Sequence, residues 1–211
     1  MAPINAAFER DWPAALRMNL LDDSLSADLA RNGSLDAAMT RRFVALADYA
    51  VAQGAEAILF TCSAFGPCID EVKRRLAPRP VLKPNEAMID EAVARAGGRP
   101  IGLVASFAPT LASMPAEFPP GTPLVTALAE GALQALQAGD AGAHDEAAAR
   151  AAERLAAEGC ALIALAQFSL ARAAPCVAAR TALPVLTTPD SALRRLRAAL
   201  AASGALRTIR A

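Results

Sequence analysis

The sequence predicts an α/β protein of two pseudo-symmetric lobes, each a short parallel sheet flanked by helices, with a ligand site in the cleft between them. Two observations carry this reading. Amphipathic stretches alternate with short apolar runs, the order that βα units produce in a parallel sheet. The chain also repeats itself. Residues 40–62 (TRRFVALADYAVAQGAEAILFTC) and 145–167 (DEAAARAAERLAAEGCALIALAQ) both read as an amphipathic helix, a glycine turn and an apolar strand. The turn glycines, Gly54 and Gly159, are 105 residues apart. The segments RPVLKPNEAMIDEAV (79–93) and LPVLTTPDSALRRL (183–196) align near the same offset, with Pro84 and Pro189 again 105 apart. Several aligned features at one spacing point to a duplication.

The elements follow in order. Residues 6–16 are expected to be a helix, 17–22 (RMNLLD) a strand and 23–33 an acidic loop. A helix is expected over 36–53, a strand over 56–60 and a helix over 67–77, opened by Pro67 at its first position. Strand 80–83 and helix 85–96 close the first half, with Pro84 before the helix and Asn85 as a cap candidate. Gly97-Gly98 marks the boundary. The second half gives strand 100–105, helix 108–116, strand 123–126, a Gly/Ala-rich loop over 129–143, helix 144–158, strand 161–165, helix 171–181, strand 184–187 and helix 190–202, with Asp190 as a cap candidate. Lobe one is assigned to 1–97, with 190–211 packing back on it, and lobe two to 98–189.

The repeat also exposes a gap. The second half opens on the strand RPIGLVAS (99–106). Its counterpart at the same offset falls ahead of Met1, so lobe one is expected to lack its first strand, leaving unpaired backbone along the neighbouring strands.

Composition excludes several classes. With 55% hydrophobic and 20% charged residues the chain is not disordered. Lys+Arg and Asp+Glu both number 21, so no bulk charge draws it to nucleic acid or to a membrane surface. Aromatics at 4% do not supply base-stacking platforms. No apolar run reaches the ~20 residues that span a bilayer. The four cysteines (Cys62, Cys68, Cys160, Cys176) have neither metal-site spacing nor a dense framework. They read as free thiols in a reducing cytoplasm, and no metal site is expected.

The stretch FTCSAFG (60–66) carries the chemistry. It is the loop at the carboxyl end of a parallel strand, where ligands collect in such sheets. The helix opening at Pro67 directs its N–H groups toward an anion above the strand, and its positive end favours a thiolate at Cys62. One loop thus offers a proton-transfer group and a carboxylate clamp. Thr61 and Ser63 are substrate-binding candidates, with helix capping the competing reading. Ser106 and Thr110 hold the matching place in lobe two, and Gln167 and Ser169 follow its later strand.

The duplicated lobes and Thr-Cys-Ser at the strand end, with LLDDSLSADLARNG (20–33) and PVLKPNEAMIDEAV, resemble the aspartate/glutamate/hydantoin racemase superfamily over nearly the whole chain. The resemblance implies catalysis without a cofactor. It implies two cysteines, one per lobe, facing each other across the α-carbon of a small carboxylate substrate, and a carboxylate held by strand-end hydroxyls and N–H groups. It also implies a homodimer. Single-cysteine relatives include arylmalonate decarboxylases.

The sequence departs from that pattern at Gln167, which stands 105 residues after Cys62 where the second thiol is expected. An amide is no base near neutral pH. Cys160 precedes its strand and Cys176 lies in the next helix, so neither reaches the strand end. The expected function is proton transfer at an α-carbon with Cys62 as acid/base, in a racemase- or isomerase-type enzyme. Two alternatives are a single-cysteine decarboxylase of malonate-type acids and a non-catalytic carboxylate binder. Lys83 reads as solvated or as an anion partner, Asp22, Asp23 and Ser24 as an acidic turn, Cys68 as inward-packing, and the lone His144 as remote from Cys62.

Overall fold

The computed structural model describes residues 2–204. In chain order its elements are α1 (Ala2–Asp11), α2 (Ser24–Asn32), α3 (Ala37–Ala52), β1 (Ile58–Leu59), α4 (Gly66–Leu76), β2 (Val81–Leu82) and α5 (Glu86–Ala96). The second half contains β3 (Ile101–Ala105), α6 (Ala108–Ser113), β4 (Leu124–Leu128), α7 (Ala132–Gln137), α8 (Ala141–Ala157), β5 (Leu162–Leu165), α9 (Ala174–Thr181), β6 (Val185–Thr187) and α10 (Thr188–Ala202). All strand pairs are parallel. One sheet has the order β1-β2, the other β4-β3-β5-β6.

The duplication is visible in the strand register. Ile58 lies opposite Val81 as Ile163 lies opposite Val185. The helices match too: at a shift near 105, α1 falls on α6, α2 on α7, α3 on α8, α4 on α9 and α5 on α10. Local chemistry sets the boundaries. Asp36 accepts from the Met39 amide at 2.7 Å and Asp140 from the Ala143 amide at 2.9 Å, so both long repeat helices carry an N-terminal acidic cap. Both end in a positive-φ glycine, Gly54 (φ 90°) and Gly159 (φ 82°), which turns the chain into the following strand. Prolines stand in the first turn of α4, α6, α9 and α10.

Strands β3 and β5 are buried along their whole length. Val104, Ile163 and Leu165 pack against α8 on one face, and Ile101, Leu103 and Leu162 against α5 and Met114 on the other. In the first lobe, Phe43, Ile69, Val72 and Val81 form the core between α3, α4 and β2. Helix α10 sets Leu193, Leu196 and Leu200 against Ala7, Trp12 and Leu82 of the first lobe. Residues 205–211, included in the expected fold-back, lie outside the described residues. No described helix is long and apolar enough to cross a membrane.

Several boundaries correct the sequence reading. The first helix runs 2–11 rather than 6–16. The expected strand 17–22 does not form, and the segment is irregular. Its repeat counterpart, β4, pairs only with β3, and lobe one has no equivalent of β3 among the described residues. A strand needs a neighbour to hold it, and this one has none. The expected loop 23–33 contains α2, and the loop 129–143 contains α7 and the start of α8. Asn85 makes no cap bond. Thr187, not Asp190, caps α10: its hydroxyl accepts from the Asp190 amide at 3.2 Å.

Candidate functional site

The Thr61–Ala64 loop is held from both ends. Phe60 and Phe65 flank it, and both rings pack on Phe43 of α3, with centroids 5.5 and 5.0 Å away. Phe60 also donates its amide to the Leu82 carbonyl at 3.0 Å, tying the loop's entry to β2. Phe65 is buried and ends the 3₁₀ turn Ser63–Phe65 that leads into α4. Residues 61–64 therefore stand exposed between two aromatic anchors.

Cys62 is extended (φ −128°, ψ 121°) and exposed. The other thiols lie elsewhere. Cys68 is buried, 3.5 Å from the Thr40 hydroxyl. Cys160 is buried before β5, and burial, with Glu158 adding to it, pushes its thiol up from the ordinary value. Cys176 is half-buried in α9. Neither Thr61 nor Ser63 uses its hydroxyl as a helix cap, and no hydrogen bond engages either hydroxyl among the described residues.

At the matching edge of the second sheet, the structure joins two of the predicted residues. Ser106, just past β3, donates its backbone N–H to Gln167 Oε1 at 2.6 Å and its hydroxyl to the same oxygen at 2.9 Å. Gln167 directly follows the strand β5 and Ala166. Its oxygen is committed to Ser106, and its Nε2 carries no hydrogen bond among the described residues. Thr110 on α6 and Ser169 in the 3₁₀ turn 168–173 are half-buried, and neither hydroxyl is hydrogen-bonded among the described residues. No hydrogen bond links the Thr61–Ser63 group to the Ser106–Gln167 pair.

A cavity of about 170 Å³ opens beside the Cys62 loop, lined in part by Ser63, Gly66, Pro67, Lys83 and Glu117. Glu117 is the ionisable lining residue the sequence reading missed. It comes from the second lobe, in the 3₁₀ turn after α6, and accepts from Asn85 Nδ2 at 3.2 and 3.3 Å. Packing around its carboxyl raises its pKa above the ordinary value, against the opposing pull of Asn85 and Lys83. The duplication offered no pointer to it, because its repeat position is Trp12. Lys83, partly exposed at the cavity, pairs with Asp70 at 2.6 Å. The Asp22–Ser24 turn binds Arg42 through Asp22 at 2.6 Å.

His144 lies buried in α8 with Nδ1 2.8 Å from Asp145, and it bonds to no cysteine. Among the described residues, no group of three His, Cys, Asp or Glu side chains could hold a metal ion.

The arrangement is an exposed thiol at the end of a parallel strand, mirrored in the second lobe by an amide locked to a serine. Solved structures of similar shape share the two-lobed fold. An aspartate racemase homologue from Pyrococcus horikoshii superposes with a TM-score of 0.68 at 14% identity, covering 92% of this chain and 91% of its own. Allantoin racemase from Klebsiella pneumoniae gives 0.65 at 20% identity, over 96% and 82%. Unliganded arylmalonate decarboxylase gives 0.58 at 17% identity, over 79% and 77%. No curated protein sequence matches this chain. The sequence pattern of the Asp/Glu/hydantoin racemase family matches residues 1–196. A match of that extent takes in both repeats and every strand of both sheets, and by it the chain belongs to the Asp/Glu/hydantoin racemase family.

Proposed function

We propose that this protein is a cofactor-independent enzyme that moves a proton at the α-carbon of a small carboxylate, with Cys62 as its acid/base group. One observation carries the reading: Cys62 is the exposed cysteine, at a parallel strand's carboxyl end, on a loop fixed by Phe60 and Phe65. The free hydroxyls of Thr61 and Ser63 and the N–H groups entering α4 are suited to the substrate carboxylate. In the exchange step the Cys62 thiolate takes the α-proton. The C–H electrons pass into the carboxylate as an enediolate, and the new S–H returns a proton to carbon.

The bond between Ser106 and Gln167 favours a second reading within the same chemistry. With a neutral amide at the repeat position of Cys62, a proton-transfer group stands on one face alone. Decarboxylation of a malonate-type acid suits that arrangement. The C–C bond breaks, CO₂ leaves, its electron pair forms the enediolate, and Cys62 S–H protonates the carbon. A thiolate remains, which water reprotonates. A positioned acid or base of this kind contributes ~10²–10⁴-fold.

The test is a panel of small amino acids and substituted malonates incubated in D₂O. Label at the α-carbon, or CO₂ release with one deuterium retained in the product, supports the reading. Neither label nor CO₂ from any member of the panel contradicts it and favours a non-catalytic carboxylate binder.

A further inference from the structure

The cavity beside the Cys62 loop has two unlike walls. On the lobe-one side stand the Ser63 hydroxyl, engaged by no hydrogen bond among the described residues, and the first turn of α4. Both offer hydrogen-bond donors to an anion. On the lobe-two side stands Glu117, which when ionised only accepts. Glu117 is exposed, yet its carboxyl is tied down. Asn85, itself buried, donates Nδ2 to both of its oxygens, at 3.2 and 3.3 Å. One shared donor leaves lone pairs on both oxygens unmet. Charge follows the same division. Lys83 lines the cavity but pairs with Asp70 at 2.6 Å, so Lys83, Asp70 and Glu117 together carry one negative charge in excess. The cavity's 170 Å³ is about six times the ~30 Å³ a water molecule occupies in the liquid. That space suits a ligand of few heavy atoms.

We infer that Glu117 sets the substrate class of this cavity: a small acid with one carboxylate and an ammonium group on the same carbon, in preference to any diacid. The inference rests on the reading of the Thr61–Ser63 loop as the carboxylate clamp. With the substrate carboxylate at the Ser63 wall, Glu117 faces the rest of the molecule. An ammonium placed there meets a carboxylate already held by Asn85 and gains a charge-assisted hydrogen bond. A second carboxylate placed there meets a like charge and gives the Glu117 oxygens no donor. Packing around Glu117 raises its pKa, so its ionised form is poorly compensated in the free protein, and an ammonium supplies what it lacks. Of the substrate types that suit acid/base chemistry at Cys62, a small amino acid with an uncharged side chain fits this wall. An acidic amino acid or a malonate does not. Recognition is thereby divided between the lobes, the first taking the carboxylate and the second the amino group.

The test is binding, read by titration calorimetry on the full chain carrying Cys62→Ala, so that no turnover intervenes. The ligands are alanine, propionate and methylmalonate. They share one skeleton and differ in the group on the α-carbon, which is ammonium, hydrogen or a second carboxylate. Alanine is expected to bind tightest and methylmalonate weakest. Adding Glu117→Gln keeps an acceptor for Asn85 and removes the charge. It should weaken alanine by about fivefold or more, leave propionate within about twofold, and strengthen methylmalonate. An equal change for all three ligands would mean that Glu117 only supports the fold, and overturns the inference. So does an affinity order that Glu117→Gln leaves unchanged, tighter binding of methylmalonate than of alanine before that substitution, or no binding of any of the three. The readout does not depend on the thiol. Selectivity that follows Glu117, in a chain whose parent neither exchanges an α-proton nor releases CO₂, would remove the proton-transfer reading and leave this one standing.

Discussion

Ser106 closes on Gln167 with two hydrogen bonds to a single oxygen, 2.6 Å from its backbone N–H and 2.9 Å from its hydroxyl. These donors lie at the end of β3, beside the end of β5 where Gln167 holds the repeat position of Cys62. An intramolecular amide oxygen occupies them. The second lobe's tip is thereby stapled across β3 and β5, and in the proposed mechanism the asymmetry of the two lobes comes from this one side chain.

Replacing that side chain should restore symmetry. Gln167→Cys removes the acceptor from Ser106 and puts sulfur at the repeat position of Cys62. On a chiral amino acid that shows α-proton exchange, the variant should raise the ratio of stereochemical inversion to exchange. Chiral chromatography of the product beside its deuterium content measures that ratio. An unchanged ratio would mean that position 167 does not face the reacting carbon.

Ser106→Ala tests the staple itself. It deletes the hydroxyl donor and keeps the backbone one, so Gln167 Oε1 retains a partner. The expected loss is about 1 kcal/mol, read from denaturant unfolding with an unchanged slope.

The aromatic clamp predicts a larger effect. Phe43 is buried and carries both Phe60 and Phe65. Phe43→Ala should cost about 3–5 kcal/mol from the cavity it leaves. Phe43→Leu fills most of that space and should cost much less. Where Phe43→Leu folds, alkylation of Cys62 should still accelerate, because the loop has lost its ring contacts.

Two carboxylates give opposite pH signatures. Burial alone would raise Glu91, but hydrogen bonds from Arg194 (2.6 Å) and Ser191 (2.7 Å) outweigh it and hold its pKa below the ordinary value. A depressed folded-state pKa contributes stability that is present above the unfolded value and lost as pH falls through the folded one. Glu91→Gln should therefore lower Tm at neutral pH, and the difference from the parent should shrink on acidification below the usual carboxylate range.

Glu117 has the reverse sign. Its raised pKa favours the protonated form in the folded state, so its contribution is full below the unfolded value and is lost as pH rises through the folded one. Glu117→Gln keeps an acceptor for Asn85 and removes the charge. Its Tm should match the parent in mild acid and equal or exceed it at neutral pH. A fall confined to neutral pH would mean that the ionised carboxylate stabilises the fold through Lys83.

The two-lobed plan was legible because the helix–glycine–strand unit ending in β1 recurs as the one ending in β5, β2 and α5 recur as β6 and α10, and the Gly54 and Gly159 turns fix the spacing. The failures share a cause. Segment 17–22 has a strand's composition, but β-structure depends on a partner that local sequence does not supply. Helix α2 was hidden by its Ser- and Asp-rich start, which reads equally as a turn. At the site, the exposure of Cys62 followed from its place at a strand end. The Ser106–Gln167 bond spans 61 residues and depends on one rotamer, and Glu117 reaches the cavity from the other lobe across the chain's repeat. Neither leaves a periodic trace.

The central claim is that Cys62 transfers the proton. The most direct measurement is the rate of α-carbon deuterium exchange, or of malonate decarboxylation, by Cys62→Ala beside the parent chain with matching circular dichroism. The account predicts a loss of at least ~10²-fold, with Cys68→Ala, Cys160→Ala and Cys176→Ala retaining the parent rate wherever they fold. Parent-like turnover by Cys62→Ala would contradict it.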